Sequence, residues 1–233
     1  RSSSSAASDV YKRQILNTLT LRLFSVALPL LAIGAAFDAK NLNVGLFNRI
    51  DFSYWVECLL VILILDFAIW LQHLLTHKIE FLWRIHRVHH SDTQMDVSTA
   101  IRFHPIEIAL SMVLKIGLVY ALGADPLSIL FFEILLNGSS MFNHANIKIP
   151  TRIDKILRLF IVTPDMHRIH HSSDRNEHDT NFGFALSVWD RFFRTYKDYP
   201  QTKHEDMELG LNWQDEKPEK LGWSLALPFR KNE

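Results

Sequence analysis

The sequence predicts an all-α fold: an integral membrane helical bundle of about four spans, with a histidine-rich cap on one side. Three observations lead there. Hydrophobic residues make up 48% of the chain and are gathered into long runs rather than scattered. Two of these runs, Pro105 to Leu122 and Pro126 to Phe142, are joined only by Gly123-Ala124-Asp125, too short a link for anything but an antiparallel helical hairpin. The twelve histidines recur at helical spacing close to the ends of these runs.

Composition narrows the field further. With 233 residues the chain can build one domain with a substantial core. Its 25 basic and 25 acidic residues balance, which argues against a nucleic-acid partner. The single Cys58 excludes an intrachain disulfide and any cysteine-built zinc or iron–sulfur site. It lies within an apolar run and reads as a small packing residue.

Arg1 to Gln14 is polar and serine-rich, lacks a starting Met, and resembles a non-native leader; the native domain is expected over residues 15–199. Leu23 to Phe37 is apolar and, extended by Leu19 to Leu21, approaches the roughly 20 residues of helix that cross a bilayer core. A buried soluble helix is the alternative there. Tyr54 to Leu75 is the clearest span, with Tyr54 and Trp55 suited to an interfacial belt. Asp66 lies inside it, seven residues before His73 and so on the same helical face. An ionisable group at that depth points to function, as a hydrogen-bond acceptor for a ligand imidazole, or to a helix-to-helix hydrogen bond. Lys115 and Glu133 each stand nine positions from Ala124, at matching depth on the two arms of the hairpin, and are predicted to pair. Ile147 to Ile161 repeats apolar residues at i, i+3, i+4, i+7 and i+8, as a helix lying on a membrane surface would. Thr163-Pro164-Asp165 reads as a fresh helix start, with Thr as N-cap and Pro at the first position. Residues 200–233 read as a polar C-terminal tail.

The histidines carry the chemistry. His73 and His77 are four apart; His86, His89 and His90 stand at i, i+3 and i+4; His167, His170 and His171 repeat that spacing. On helices each set shares one face. Eight clustered imidazoles exceed what one ion can use, so two metal ions are expected, of a kind that neutral imidazole suits: zinc, copper, iron or nickel. Each ring needs a partner for its second nitrogen, and Asp66, Glu80, Asp92 and Asp174 are the acids at hand. His144, closing the fourth span between Asn143 and Asn146, joins the candidates, and His104, just before Pro105, is a further one. His178 and His204 read as ordinary polar residues. Neither the Glu-x-x-His pair of carboxylate-bridged di-iron bundles nor His-Glu-x-x-His occurs, which argues against a ferritin-like site and a zinc hydrolase.

Alternating spans place all the histidine clusters on one side of the bilayer. That side carries Lys78, Arg84, Arg87, Arg102, Arg152, Lys155 and Arg158, whereas the opposite connections offer Lys40 and Arg49. By the positive-inside rule the cap is cytoplasmic and metal-binding.

The order of these motifs, with their surroundings FLWRIHRVHHSD, STAIRFHPIE, FNHAN and NFGFALSVWDRFFRTY, resembles the fatty acid hydroxylase superfamily, also called the sterol desaturase family. The resemblance runs from about Tyr54 to Tyr196. It implies a non-haem centre of two iron ions that uses O2 to hydroxylate or desaturate a C–H bond of a lipid, such as a sterol, fatty acyl chain, alkylglycerol or carotenoid. His73, His77, His86, His89, His90, His167, His170 and His171 match the family's ligands. His144 matches a further histidine after the last span, and His104 a histidine-proline found in part of the family. Trp189, Asp190 and Arg191 match a segment taken as structural, and His178 has no counterpart. Electrons are expected from an external donor, a separate reductase or electron-transfer protein. Two other functions remain open. A membrane metal carrier would string its ligands along the spans; a non-catalytic lipid-binding relative would have lost cluster histidines, and none is missing here.

Overall fold

The computed structural model describes residues 30–213 and 220–231. The expected leader and residues 23–29 of the first apolar run lie outside these residues. Helix α1 occupies residues 30–41. It is followed by α2 (Tyr54–Lys78), α3 (Glu80–His90), α4 (Pro105–Leu122), α5 (Pro126–Asn143), α6 (Thr151–Leu157), α7 (Pro164–His170), α8 (Arg175–His178), α9 (Val188–Phe192) and α10 (Leu221–Ala226). Single 3-10 turns stand at Thr99–Ile101 and Leu227–Phe229. Among the described residues the fold is helical, with only isolated bridges, Ile161 to Leu186 and Ser172 to Leu209.

Helices α2 and α4 are long and apolar enough to cross a membrane. Helix α5 has the length, but its second half carries Asn137, Ser139, Ser140 and Asn143. The three pack around a core of Val61, Leu65, Ile69, Val119, Leu122, Ile129 and Phe132, to which α1 adds Ala32, Ala35 and Ala36. Their outward faces are apolar too: Trp55, Leu59, Val113 and Ile134 are all exposed. An apolar face on both sides of a helix is the signature of a bundle whose surroundings are not water.

The hairpin between α4 and α5 is built as its residues dictate. Gly123 caps α4 in the left-handed region at φ 65°, donating its N–H to the Val119 carbonyl. A Cβ on Gly45 would collide with the Gly123 backbone, so the loop entering α2 meets this corner backbone to backbone. Asp125 caps α5 through the Leu127 N–H and accepts from Lys40 Nζ at 2.8 Å. Lys115 and Glu133 do pair across the hairpin, Nζ to Oε1 at 2.6 Å, and both are buried.

One expectation fails. The surface helix runs only from Thr151 to Leu157, because Pro150 cannot continue a helix backward and the chain turns at Arg158 to reach the bridge at Ile161. Its apolar side chains Ile153 and Ile156, and Phe160 just beyond it, are nevertheless exposed. Part of the C-terminal segment packs on the bundle. Leu211, Trp223 and Leu227 are buried against Val88 of α3, and the buried Arg87 donates to the carbonyls of Leu227 and Arg230.

Candidate metal centre

Helices α2, α3 and α7 and the end of α5 bring nine histidines together. They form two groups. In each, one nitrogen per ring lies within 4.8 Å of the corresponding nitrogen of every other ring. The first group is His73, His77, His86, His90 and His170; the second is His89, His144, His167 and His171. All nine are buried. The doubled H-x-x-H-H motif is divided in a crossed way. On α3 the i, i+4 pair His86 and His90 joins the first group and His89 the second. On α7 the i, i+4 pair His167 and His171 joins the second group and His170 the first. Each motif therefore faces both groups at once. Helix α2 completes the first with His73 and His77, and His144 at the end of α5 completes the second.

The partners of the second ring nitrogens settle which atoms remain free. His73 Nδ1 donates to the Phe182 carbonyl and His170 Nδ1 to the Thr180 carbonyl, both at 2.7 Å. His144 Nδ1 donates to the Ser140 carbonyl at 2.7 Å, and His86 Nδ1 to Glu107 Oε1 at 2.6 Å. An acceptor on Nδ1 fixes the proton there and leaves Nε2 a lone-pair donor. Nε2 of His73, His86 and His170 is buried without a hydrogen-bond partner, as are both nitrogens of His77, His90 and His171. In the second group His144 Nε2 stands 3.2 Å from Nε2 of both His89 and His167. So many buried nitrogens left unpaired would be costly in a metal-free core, and their convergence fits a pair of cations.

Burial disfavours the charged form of the rings outside the spans. Burial holds His89, His90, His167, His170 and His171 well below the usual imidazole range, with the neighbouring imidazoles adding to the effect. Burial brings His144 down to about 4. Neutral imidazole is the ligating form.

Other predicted residues lie elsewhere. His104 belongs to neither group: its Nδ1 accepts from the Ile106 N–H and caps α4. Asp66 accepts from Trp189 Nε1 at 2.8 Å, so its hydrogen bond goes from helix to helix rather than to an imidazole. Asp92 accepts from Thr99 Oγ1, Asp174 caps α8, and Glu80 opens α3. The acids that do meet the cluster are Glu107 and Asp179, the latter 3.5 Å from His77 Nδ1. Glu107 was visible in HPIE, an acid in the first turn of a span. His178 stacks on Trp83 at 5.1 Å and, with His77 and Asp179, forms a third, less buried set of possible ligands that shares His77 with the first group. Phe103 stacks on His89 at 4.2 Å, and Phe184 contacts His73 and His167, closing the cluster with apolar rings. A cleft of about 1080 Å³ beside α6, which His204 lines, contains none of the nine histidines.

The chain is similar in sequence to several lipid-modifying enzymes. The chain is 30% identical over 153 residues to the ornithine lipid hydroxylase of Rhizobium tropici, covering 66% of this chain and 45% of the relative. It is 28% identical over 149 residues to the alkylglycerol monooxygenase of Homo sapiens, covering 63% and 31%. With the cholesterol 25-hydroxylase of Rattus norvegicus the figures are 26% over 151 residues, covering 62% and 48%. The match spans less than half the length of each of these relatives. No solved structure matches the chain at comparable significance. The fatty acid hydroxylase family model matches residues 58–195. That stretch is more than half of the 233 residues and holds every member of both histidine groups, and the chain belongs to the fatty acid hydroxylase family.

Proposed function

We propose that this chain is a membrane-bound non-haem di-iron oxidoreductase that uses O2 to hydroxylate or desaturate a C–H bond of a lipid. The observation that carries this reading is the pair of histidine groups, nine buried imidazoles each turning one nitrogen toward one of two points. His73, His77, His86, His90 and His170 would hold one ion, and His89, His144, His167 and His171 the other. When bound, the two irons supply the activation of O2 that a C–H bond requires.

The chain's own residues orient and shield. The carbonyls of Phe182, Thr180 and Ser140 and the carboxylate of Glu107 hold the rings in one tautomer. Phe103 and Phe184 exclude water from the two groups, and Phe184 also packs against the apolar core of α2, α4 and α5. A lipid chain arriving from the bilayer would meet the site there. The relatives' names, ornithine lipid hydroxylase, alkylglycerol monooxygenase and cholesterol 25-hydroxylase, support a lipid with a polar end as substrate.

The domain is taken as residues 15–199, with about four spans and the metal centre on the cytoplasmic side. The basic residues beside the cluster support that side, although Arg87 and Arg158 are buried in structural contacts and contribute no surface charge. Electrons come from a separate reductase or electron-transfer protein.

The test is metal content together with activity. The chain would be purified from membranes in detergent, its iron and zinc quantified, and O2 and a reducing system supplied with ornithine lipid, alkylglycerol and cholesterol as probes. Mass spectrometry should find oxygenated product, about two irons per chain, and loss of product in His89→Ala. A well-folded chain free of metal sinks this reading and leaves a non-catalytic lipid-binding protein of the same fold.

A further inference from the structure

Two ligands of the first group come from distant helices yet lean on one short segment. His73 of α2 donates to the Phe182 carbonyl, and His170 of α7 to the Thr180 carbonyl. Residues 180–183 have no regular secondary structure, so their carbonyls are aimed only as well as other contacts hold the backbone. Asp190 supplies that hold. Its Oδ1 accepts from the Phe182 N–H at 2.9 Å and its Oδ2 from the Gly183 N–H at 2.8 Å. Oδ1 also accepts from Thr195 Oγ1 at 2.6 Å and from Trp70 Nε1 at 3.0 Å. Trp70 precedes His73 by three residues on α2, so one buried carboxylate ties the segment to the helix whose ligand it orients.

The neighbours of the segment are as specific. Asn181 sits in the left-handed region at φ 56°, with its amide donating to the Met166 and Lys197 carbonyls and its oxygen accepting from the Lys197 N–H. A Cβ on Gly183 would stand 2.7 Å from Val162 and 3.0 Å from the Asp190 carboxylate, so no larger residue lets the acid come this close. Every group that Asp190 meets in these four contacts is a donor. An ionised carboxylate satisfies all four, whereas an amide would turn an NH2 toward a backbone N–H. The second group has its own support: His144 takes its Nδ1 acceptor, Ser140, from within α5.

We propose that Asp190 is the positioning residue of the first histidine group, holding the carbonyls of Thr180 and Phe182 so that His170 and His73 present Nε2 to one of the two ions. The proposal rests on the metal-centre reading above and assigns a role within it to a residue outside the ligand set. Its particular consequence is selectivity: loss of the carboxylate weakens one ion and spares the other.

The experiment uses the full chain in detergent, loaded anaerobically with Co(II), with release to a chelator followed by the cobalt absorption. His90→Ala and His144→Ala provide reference spectra, each lacking a ligand of one group. In Asp190→Asn the ion of the first group should lose about 10–100-fold in affinity, the usual effect of removing the support of a ligand. Its spectrum should change, while the second ion keeps its wild-type spectrum and release rate. Trp70→Phe removes a single donor to Asp190 and keeps the ring that stacks on Phe193 at 4.6 Å. It should weaken the same ion a few-fold, and it decides the matter if Asp190→Asn does not fold. Parallel weakening of both ions would mean a general effect on the fold and overturns the proposal, as does wild-type behaviour at both. A wild-type chain that binds no Co(II) at either group overturns the metal-centre reading itself, and this proposal with it.

Discussion

At the scale of single residues, the site depends on which imidazole nitrogen carries a proton. A carbonyl or carboxylate on Nδ1 makes Nε2 the donor, and four of the nine rings have such an acceptor within 2.7 Å. Glu107 is the one whose removal is cleanest to read. Glu107→Ala should cost the first group about 10–100-fold in metal affinity, measured by competitive titration. Glu107→Gln should cost less, because its amide oxygen can still accept from His86 Nδ1; equal losses in the two variants would show that charge, and not the hydrogen bond, matters. Acid should also release the metal-free fold. Burial holds His89, His144 and His167 below their ordinary value of 6.5, so below that pH the unfolded chain takes up protons that these folded rings refuse. Stability is fully present above about pH 6.5 and is lost on acidification, for His144 over the window down to about 4. Each such imidazole contributes a slope of about 1.4 kcal/mol per pH unit within its window. Denaturation of metal-free protein at pH 7.5, 6.0 and 5.0 checks the sign; a midpoint that rises on acidification contradicts it.

At the scale of elements, the α4–α5 hairpin and the α3 clamp are the two devices to perturb. Lys115 and Glu133 form a buried pair at 2.6 Å, to which Asn137 adds a hydrogen bond on Glu133. Removing one partner strands a charge, so Lys115→Met alone should destabilise by about 3–5 kcal/mol. Lys115→Met with Glu133→Leu should recover most of that loss in SDS denaturation, since a well-packed apolar pair often replaces a buried ion pair without cost. On the other side, α3 carries three ligands inward and rests outward on Trp223, Leu227 and Trp213. Trp223→Ala should cost about 3–5 kcal/mol as a large core side chain is lost. The same variant should lower the metal content of both groups together, because α3 contributes to both. That pattern would distinguish a helix displacement from the one-sided loss expected at Asp190.

At the scale of the whole molecule, two apolar helices with exposed apolar faces and a polar cap define an orientation relative to a bilayer. The loop between α1 and α2 lies at the end of α2 away from the histidines, and the C-terminal segment packs on α3 beside them. In a Cys58→Ser background, single cysteines at Asn41 and Lys203 should therefore label from opposite sides of an intact membrane. Lys203→Cys should react with an impermeant reagent only in inside-out vesicles if the cap is cytoplasmic. Labelling of both positions from one side would contradict the bundle's proposed crossing.

The local part of this architecture was legible in the chain's order of residues. Apolar runs bounded by Pro105, Gly123 and Pro126 mark helix ends because proline and glycine act within a turn of themselves. The spacing of His73 with His77, and of the two H-x-x-H-H motifs, puts rings on one helical face because 3.6 residues make a turn. The depth match of Lys115 with Glu133 follows from counting along two arms of one hairpin. What the spacing could not reveal is how the nine rings divide, because that depends on how α3 and α7 are set against each other, and the result is crossed. Nor could it reveal the supports of the rings. Three are backbone carbonyls, which every residue has, and the acid that serves is Glu107 rather than Asp66, whose face meets Trp189 across 123 residues of sequence. The packing of Trp223 and Leu227 on α3 was hidden for the same reason. A local pattern shows which face of a helix is apolar or ligating, and only the tertiary structure decides what that face meets.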